Sequence, residues 1–340
     1  TDTDLKFTDS GGNVASSTGG DILFTSSSGT KLSHEIEYYA STTGETVAWV
    51  KIPSLSGTVD TTIYVYYGNA SADDQQDVTN VWDSDYGGVW HLGEDYNTDA
   101  NNYKDSTSNS NHGQLTDIDT DTIQTNGKIG KAMDFAGDDH ITVAHDSSIE
   151  PTDALTYEVW INTDIINGWQ SIMSKNDGNV AGYRLKNLRL DGDTSNNELY
   201  FYAYDGLGYE AITVDKNLVA GTDYHIVLVV DDSDFVKMYI NGVEAFSDEA
   251  IGDILLTEDE ALCIGCRVHS SIPQDFFNGN MDEIRISSTA RSAGWILTEY
   301  NNQNLPSTFY AYGGEQAESR QDSSGNSMPA VNVRGGVKFR

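Results

Sequence analysis

The chain is short of positive charge, proline, cysteine and long apolar runs. It carries 19 Lys and Arg against 53 Asp and Glu, a formal net charge of −34 over 340 residues. Phosphate backbones and anionic bilayer surfaces would be repelled by such a body, so neither nucleic acid nor a membrane is expected as a partner. No apolar run approaches the roughly 18 residues of a spanning helix. Five prolines, 32 glycines and 10% aromatics describe an ordered β-type composition, not a disordered one. Metalloprotease (HExxH) and nucleophile-elbow (GxSxG) motifs are missing as well.

Only two cysteines occur, Cys263 and Cys266 in ALCIGCRV. There is no second CxxC to complete a zinc site, and no helix start follows, as a redox motif would require. In a regular strand, residues three apart face opposite sides. The spacing therefore predicts two separate buried thiols, not a bond. The opening at Thr1, with no signal-like segment, gives the expectation of a processed, exported product.

What is present is β pattern. TVAWVKIP (46–53), TTIYVYYG (61–68), LTYEVWIN (155–162), ELYFYAYDG (198–206), YHIVLVVDD (224–232), VKMYINGVEAF (236–246) and MDEIRIS (281–287) alternate or run apolar between Gly, Asn and Asp. Asn241-Gly242 predicts a two-residue hairpin turn. Only SAGWILTEYNNQ (292–303) has helical character. Many closely spaced strands imply a sandwich or jelly roll.

From Gly88 to about Gly314 the chain resembles the LamG-like members of the concanavalin A-like lectin/glucanase superfamily. The resemblance rests on GVWHLGED, KDSTSNSNHGQL, GKIGKAMDFAGDDHITV, LTYEVWIN, WQSIMSK, YHIVLVVDD, VKMYINGVE and FFNGNMDEIRISSTARS. It implies an all-β fold with a jelly-roll sandwich. Residues 1–84 resemble the small β domain of unknown function that precedes such modules in bacterial and archaeal surface proteins, through GGDILFTSSSGTKLSHEIEYY, TGETVAWVKIPSL and TTIYVYYGNASA. The usual opening strand of that domain is not seen here. The expected organisation is thus a small β domain at 1–84, a jelly roll at 85–316, and a polar linker with a strand-forming tail at 317–340.

The superfamily includes retaining glucanases, whose paired carboxylates lie on one strand as ExDxxE. No Glu here has an Asp two residues on, so no enzyme is expected. The resemblance implies a structural Ca²⁺ at the sandwich rim, held by Asp138, Asp139 and Asp282. Asp191, Asp193 and Asn196 in DGDTSNNE form a second, weaker oxygen cluster. A sugar site needs an exposed aromatic beside polar groups; Trp169 in INGWQS is the candidate, with Tyr204 and Tyr209 near in sequence. Asn69-Ala70-Ser71 is a glycosylation sequon.

The last residues, AVNVRGGVKFR, read as two strand halves, Val331/Val333 and Val337/Phe339, about Gly335-Gly336. Ordering such a tail costs roughly 1–2 kcal/mol per residue, more than burial of three Val and one Phe at about 1.5–3 kcal/mol each returns. Main-chain ladder bonds must supply the difference, so the tail is expected on a strand edge. Arg334, Lys338 and Arg340 make it basic where the body is acidic. Two functional expectations follow. In the first, the tail of one subunit fills the slot left by the missing strand of the next, head to tail, building an extracellular filament at the cell surface. In the second, the chain is a calcium-dependent lectin-like adhesion module for cell-surface or matrix polysaccharide.

Overall fold

The computed structural model describes residues 2–95, 99–116, 123–166, 168–176, 185–191, 198–204, 209–214, 217–233, 235–249, 260–269, 272–318 and 331–339. The chain forms two compact units, Thr1–Asp83 with Asn301–Arg340, and Ser84–Tyr300. Residues 301–316, assigned to the jelly roll from the sequence, therefore cluster with the N-terminal unit.

The larger unit is a jelly-roll sandwich of two antiparallel sheets. The eight-stranded sheet runs in the order Val243–Glu249, Phe235–Ile240, Tyr224–Val230, Leu155–Thr163, Asn278–Ser287, Lys131–Ala136 and Ile123–Asn126, with Tyr86–Trp90 also paired to Asn278–Ser287. The seven-stranded sheet runs Tyr209–Val214, Glu198–Tyr204, Leu185–Asp191, Trp169–Asn176, Leu262–Ile264, His140–Val143 and Gly113–Thr116. Alternation places Leu155, Tyr157, Val159 and Ile161 of one sheet, and Leu188, Leu190, Leu199 and Phe201 of the other, in a common core. Each such side chain contributes about 1.5–3 kcal/mol by leaving water.

Leu155–Thr163 is buried on both faces. Its second face lies over an ion network built on Arg285, whose guanidinium donates to Glu158 (3.2 Å), Glu283 (2.7 Å) and Glu299 (3.0 Å). Glu158 also meets His225 Nε2 at 3.0 Å, and Glu283 meets His91 Nδ1 at 2.8 Å. The expected helix forms at Ala293–Asn304, and Ile296 packs on Val227, Val229 and Tyr239. At the expected hairpin, Asn241 (φ 53°) and Gly242 (φ 74°) take the two left-handed conformations of a tight turn.

Cys263 and Cys266 are joined in a disulfide with Cα atoms 5.6 Å apart. The expectation of separate thiols fails because the strand stops at Ile264 and Gly265 turns left-handed (φ 82°), which cancels the alternation that would have parted the two sulfurs.

In the smaller unit a sheet runs Leu23–Ser26, Thr61–Tyr67, Val331–Phe339 and Tyr310–Ala311, with Glu315–Glu318 also on Val331–Phe339. A hairpin of His34–Ala40 and Glu45–Val50 stands beside a core of Val14, Ile22, Phe24, Leu32, Ile63, Val65 and Tyr67. The tail forms the expected strand and pairs along Thr61–Tyr67: Asn332, Val333 and Arg334 pair with Tyr67, Tyr66 and Val65, and Val337, Lys338 and Phe339 with Ile63, Thr62 and Thr61. Tyr310–Ala311 and Glu315–Glu318 cover its other side, so it lies inside the sheet and not at its edge. Gly335-Gly336 falls in the irregularity between the two halves. The pairing described is within one chain, whereas the expectation from the sequence was that Val331, Val333, Arg334, Val337, Lys338 and Phe339 would be donated to another subunit. A hairpin with Glu315–Glu318 already brings the strand to its own sheet, so closing the loop costs little. Arg340 lies outside the described residues.

Candidate functional site

The strand Leu185–Asp191 alternates Leu with polar residues, and this places two chemistries on its two faces. Leu188 and Leu190 enter the core, while Asn187, Arg189 and Asp191 share the outer face of the seven-stranded sheet. Register sets Trp169 opposite Asp191, and Arg189 between Ser171 and Tyr200. Trp169, at the start of its strand, is 44% exposed. The Arg189 guanidinium lies 4.3 Å from the Trp169 ring centre and 5.5 Å from that of Tyr200. Tyr200 donates to Glu198 at 2.7 Å, which raises the phenol above its ordinary pKa. Asn187 is fully buried and donates to Ser171 Oγ at 3.1 Å. The result is an exposed indole edged by a cation, two carboxylates and a phenol, a surface suited to a ring with hydroxyls.

Trp169, the anticipated sugar aromatic, stands opposite Asp191, which the DGDTSNNE run placed instead in a second metal-binding oxygen cluster; its companion there, Asp193, lies outside the described residues. Tyr204 and Tyr209 are not part of the site: they pair with each other, and Tyr204 stands opposite Leu185, at the far end of the strand from Trp169. Tyr200 takes that place. Arg189 and Tyr200 were missed because their spacing from Trp169 in sequence says nothing about register. The alternating KNLRLD was the one available signal.

The rim calcium set does not assemble. Asp282 is buried and accepts from Ile129 N at 2.9 Å, closing the turn before Lys131–Ala136. Asp138 and Asp139 follow the other end of that strand, where Ala136 pairs with Asn278. Four residues along a strand is about 13 Å, too far for one ion to join Asp282 with Asp138 or Asp139. These donors do not fit a shared Ca²⁺, and no role is derived through one. Asn69 sits beyond the strand Thr61–Tyr67, where its Oδ1 accepts from Ser71 N at 3.1 Å.

A second polar group unforeseen in the sequence lies at the core side of the same sheet. Glu150 binds both Lys175 and Lys186 (2.7 Å to the latter), all three buried. Lys175 and Lys186 are partners in register, so the carboxylate between them offsets part of the cost of burying two like charges side by side.

With the sandwich and this face described, residues 135–297 match the family model of the concanavalin A-like lectin/glucanases superfamily, and residues 18–103 that of a domain of unknown function (DUF2341). The chain carries a LamG-like domain behind a domain of unknown function. No curated protein matches it. Among solved structures, the LamG-like domain is similar in fold to domain 4 of AbnA, a GH43 extracellular arabinanase from Geobacillus stearothermophilus, solved in complex with arabinotriose. The identity is 20%, over 62% of this chain and 96% of that one, with a TM-score of 0.50. The Ruminococcus gnavus IT-sialidase CBM40, bound to alpha2,3 sialyllactose, matches at 12% identity over 52% of this chain and 98% of that one, TM-score 0.45. The binding domain of botulinum neurotoxin serotype D matches at 14% over 72% of this chain and 56% of that one, TM-score 0.48.

Proposed function

We propose that the protein is a non-catalytic, extracellular carbohydrate-binding module whose site is the sheet face of Trp169, Arg189, Asp191 and Tyr200. The observation that carries this reading is the exposed Trp169 ring held by Arg189 among polar neighbours, since stacking on an aromatic face with flanking hydrogen-bond groups is how a sugar ring is gripped. The fold shared with an arabinanase domain that holds arabinotriose supports the class of ligand, not its identity. The Cys263–Cys266 disulfide supports an oxidising compartment. Among the described residues no helix is long and apolar enough to cross a membrane.

Binding to a panel of plant and microbial polysaccharides, read by affinity electrophoresis and calorimetry, tests the proposal. Trp169→Ala should weaken binding by about tenfold or more, as expected for an aromatic anchor, and leave the melting temperature unchanged. Absence of binding to every polysaccharide, or equal binding by the variant, would overturn it. Release of reducing ends, lost on changing one carboxylate, would overturn the non-catalytic part.

One observation favours a second reading, a subunit of a surface filament. The last strand of the chain, Val331–Phe339, occupies an interior position beside Thr61–Tyr67, and the same contacts would form if it came from another copy. Electron microscopy of the parent and of a protein lacking residues 330–340 decides this. Strand exchange predicts filaments from the first and a folded, unpolymerised body from the second. A parent that stays monomeric at every concentration rules exchange out.

A further inference from the structure

Away from the sugar-binding face, the structure places His140, Cys263 and Cys266 together in the interior. His140 starts the strand that pairs with Leu262–Ile264, so it stands at the end where the Gly265 turn delivers Cys266. The imidazole and both sulfurs offer donor atoms that all lie within 4.8 Å of one another, and all three residues are buried. His140 is 7% exposed, and its Nδ1 is buried with no hydrogen-bond partner. A buried ring nitrogen left unmatched is costly, and such groups call for an explanation.

We propose that these three residues form a redox-gated site for one zinc-class cation. In the disulfide form the sulfurs satisfy each other and the site is closed. A dithiol reductant transfers two electrons to the Cys263–Cys266 bond, leaving two thiols and its own cyclic disulfide. One Zn²⁺ then displaces two protons as both thiolates bind, and neutral His140 completes a Cys₂His set without releasing any. The CxxC bite is the one used by structural zinc sites, and borderline-soft sulfur and imidazole donors select Zn²⁺ over oxygen-preferring ions such as Ca²⁺. Three protein ligands leave the fourth tetrahedral position to water.

The experiment uses the full chain, oxidised or reduced with dithiothreitol and freed of it under argon, titrated with Co²⁺ and then Zn²⁺. The reduced protein should take one Co²⁺ per chain with thiolate-to-cobalt charge-transfer absorption, lost on adding Zn²⁺, and the oxidised protein should take none. Cys263→Ser with Cys266→Ser should abolish the signal. His140→Ala, or His140→Gln if the first folds poorly, should weaken binding by more than about tenfold, because loss of even an outer partner of a metal ligand costs that much. Circular dichroism follows the fold throughout. The proposal is overturned if the reduced, folded protein binds no Co²⁺, if the His140 variant binds as the parent does, or if reduction unfolds the chain.

Discussion

Arg285 shows how a single residue can organise an interior. Its guanidinium is buried yet fully engaged, and three carboxylates hold its pKa well above the ordinary value in spite of desolvation. Burial opposes the charge on Glu283, but His91 and Arg285 more than offset it and hold its carboxyl below the usual range. A carboxylate lowered in the folded state adds stability that is complete above its unfolded pKa, about 4.3, and is lost as pH falls through the folded value. Glu283→Gln should therefore lower stability at pH 7 by about 3–5 kcal/mol, the usual cost of breaking a buried ion pair. The deficit should shrink as pH falls below 4. Urea melts of parent and variant across that range measure it, and a deficit independent of pH would show that Glu283 acts by packing alone.

At the scale of elements, turns decide what the strands present. Asn241-Gly242 was legible because its two residues alone satisfy a hairpin turn. The Gly265 turn was not, since CIGC reads as uninterrupted strand until the backbone is seen. A Cβ at Gly265 would be strained by φ 82° and would stand 3.2 Å from the Phe135 ring. Gly265→Ala should thus destabilise the LamG-like domain by about 1–3 kcal/mol, seen as a lower melting temperature by calorimetry. An unchanged melt would mean the turn relaxes freely, and the pairing of Cys263 with Cys266 would need another cause. The face around Trp169 was half legible for a related reason: one exposed aromatic is visible in a loop-like run, but its neighbours come from two other strands.

For the whole molecule, the dominant property is the net charge of −34. Like charges at this density repel in the compact state and are screened by salt, with a Debye length of about 10 Å at 0.1 M. The melting temperature should rise steadily between dilute buffer and molar NaCl, and the same rise should appear with KCl. A flat response would show that local pairs such as Arg285 with Glu283 already neutralise the body.

By itself the sequence determined the β class, the positions of the strands in the runs named from it, the helix at Ala293–Asn304, the acidity and the LamG-like resemblance, because each is a matter of local period, turn chemistry or composition. Tertiary structure alone decided which residues meet. It put Arg189 and Tyr200 beside Trp169, parted Asp282 from Asp138 and Asp139, closed Cys263 on Cys266, and paired the tail with Thr61–Tyr67 of its own chain. Those outcomes depend on strand register between distant segments. A one-residue slip reverses every face, and no spacing within a single segment records it.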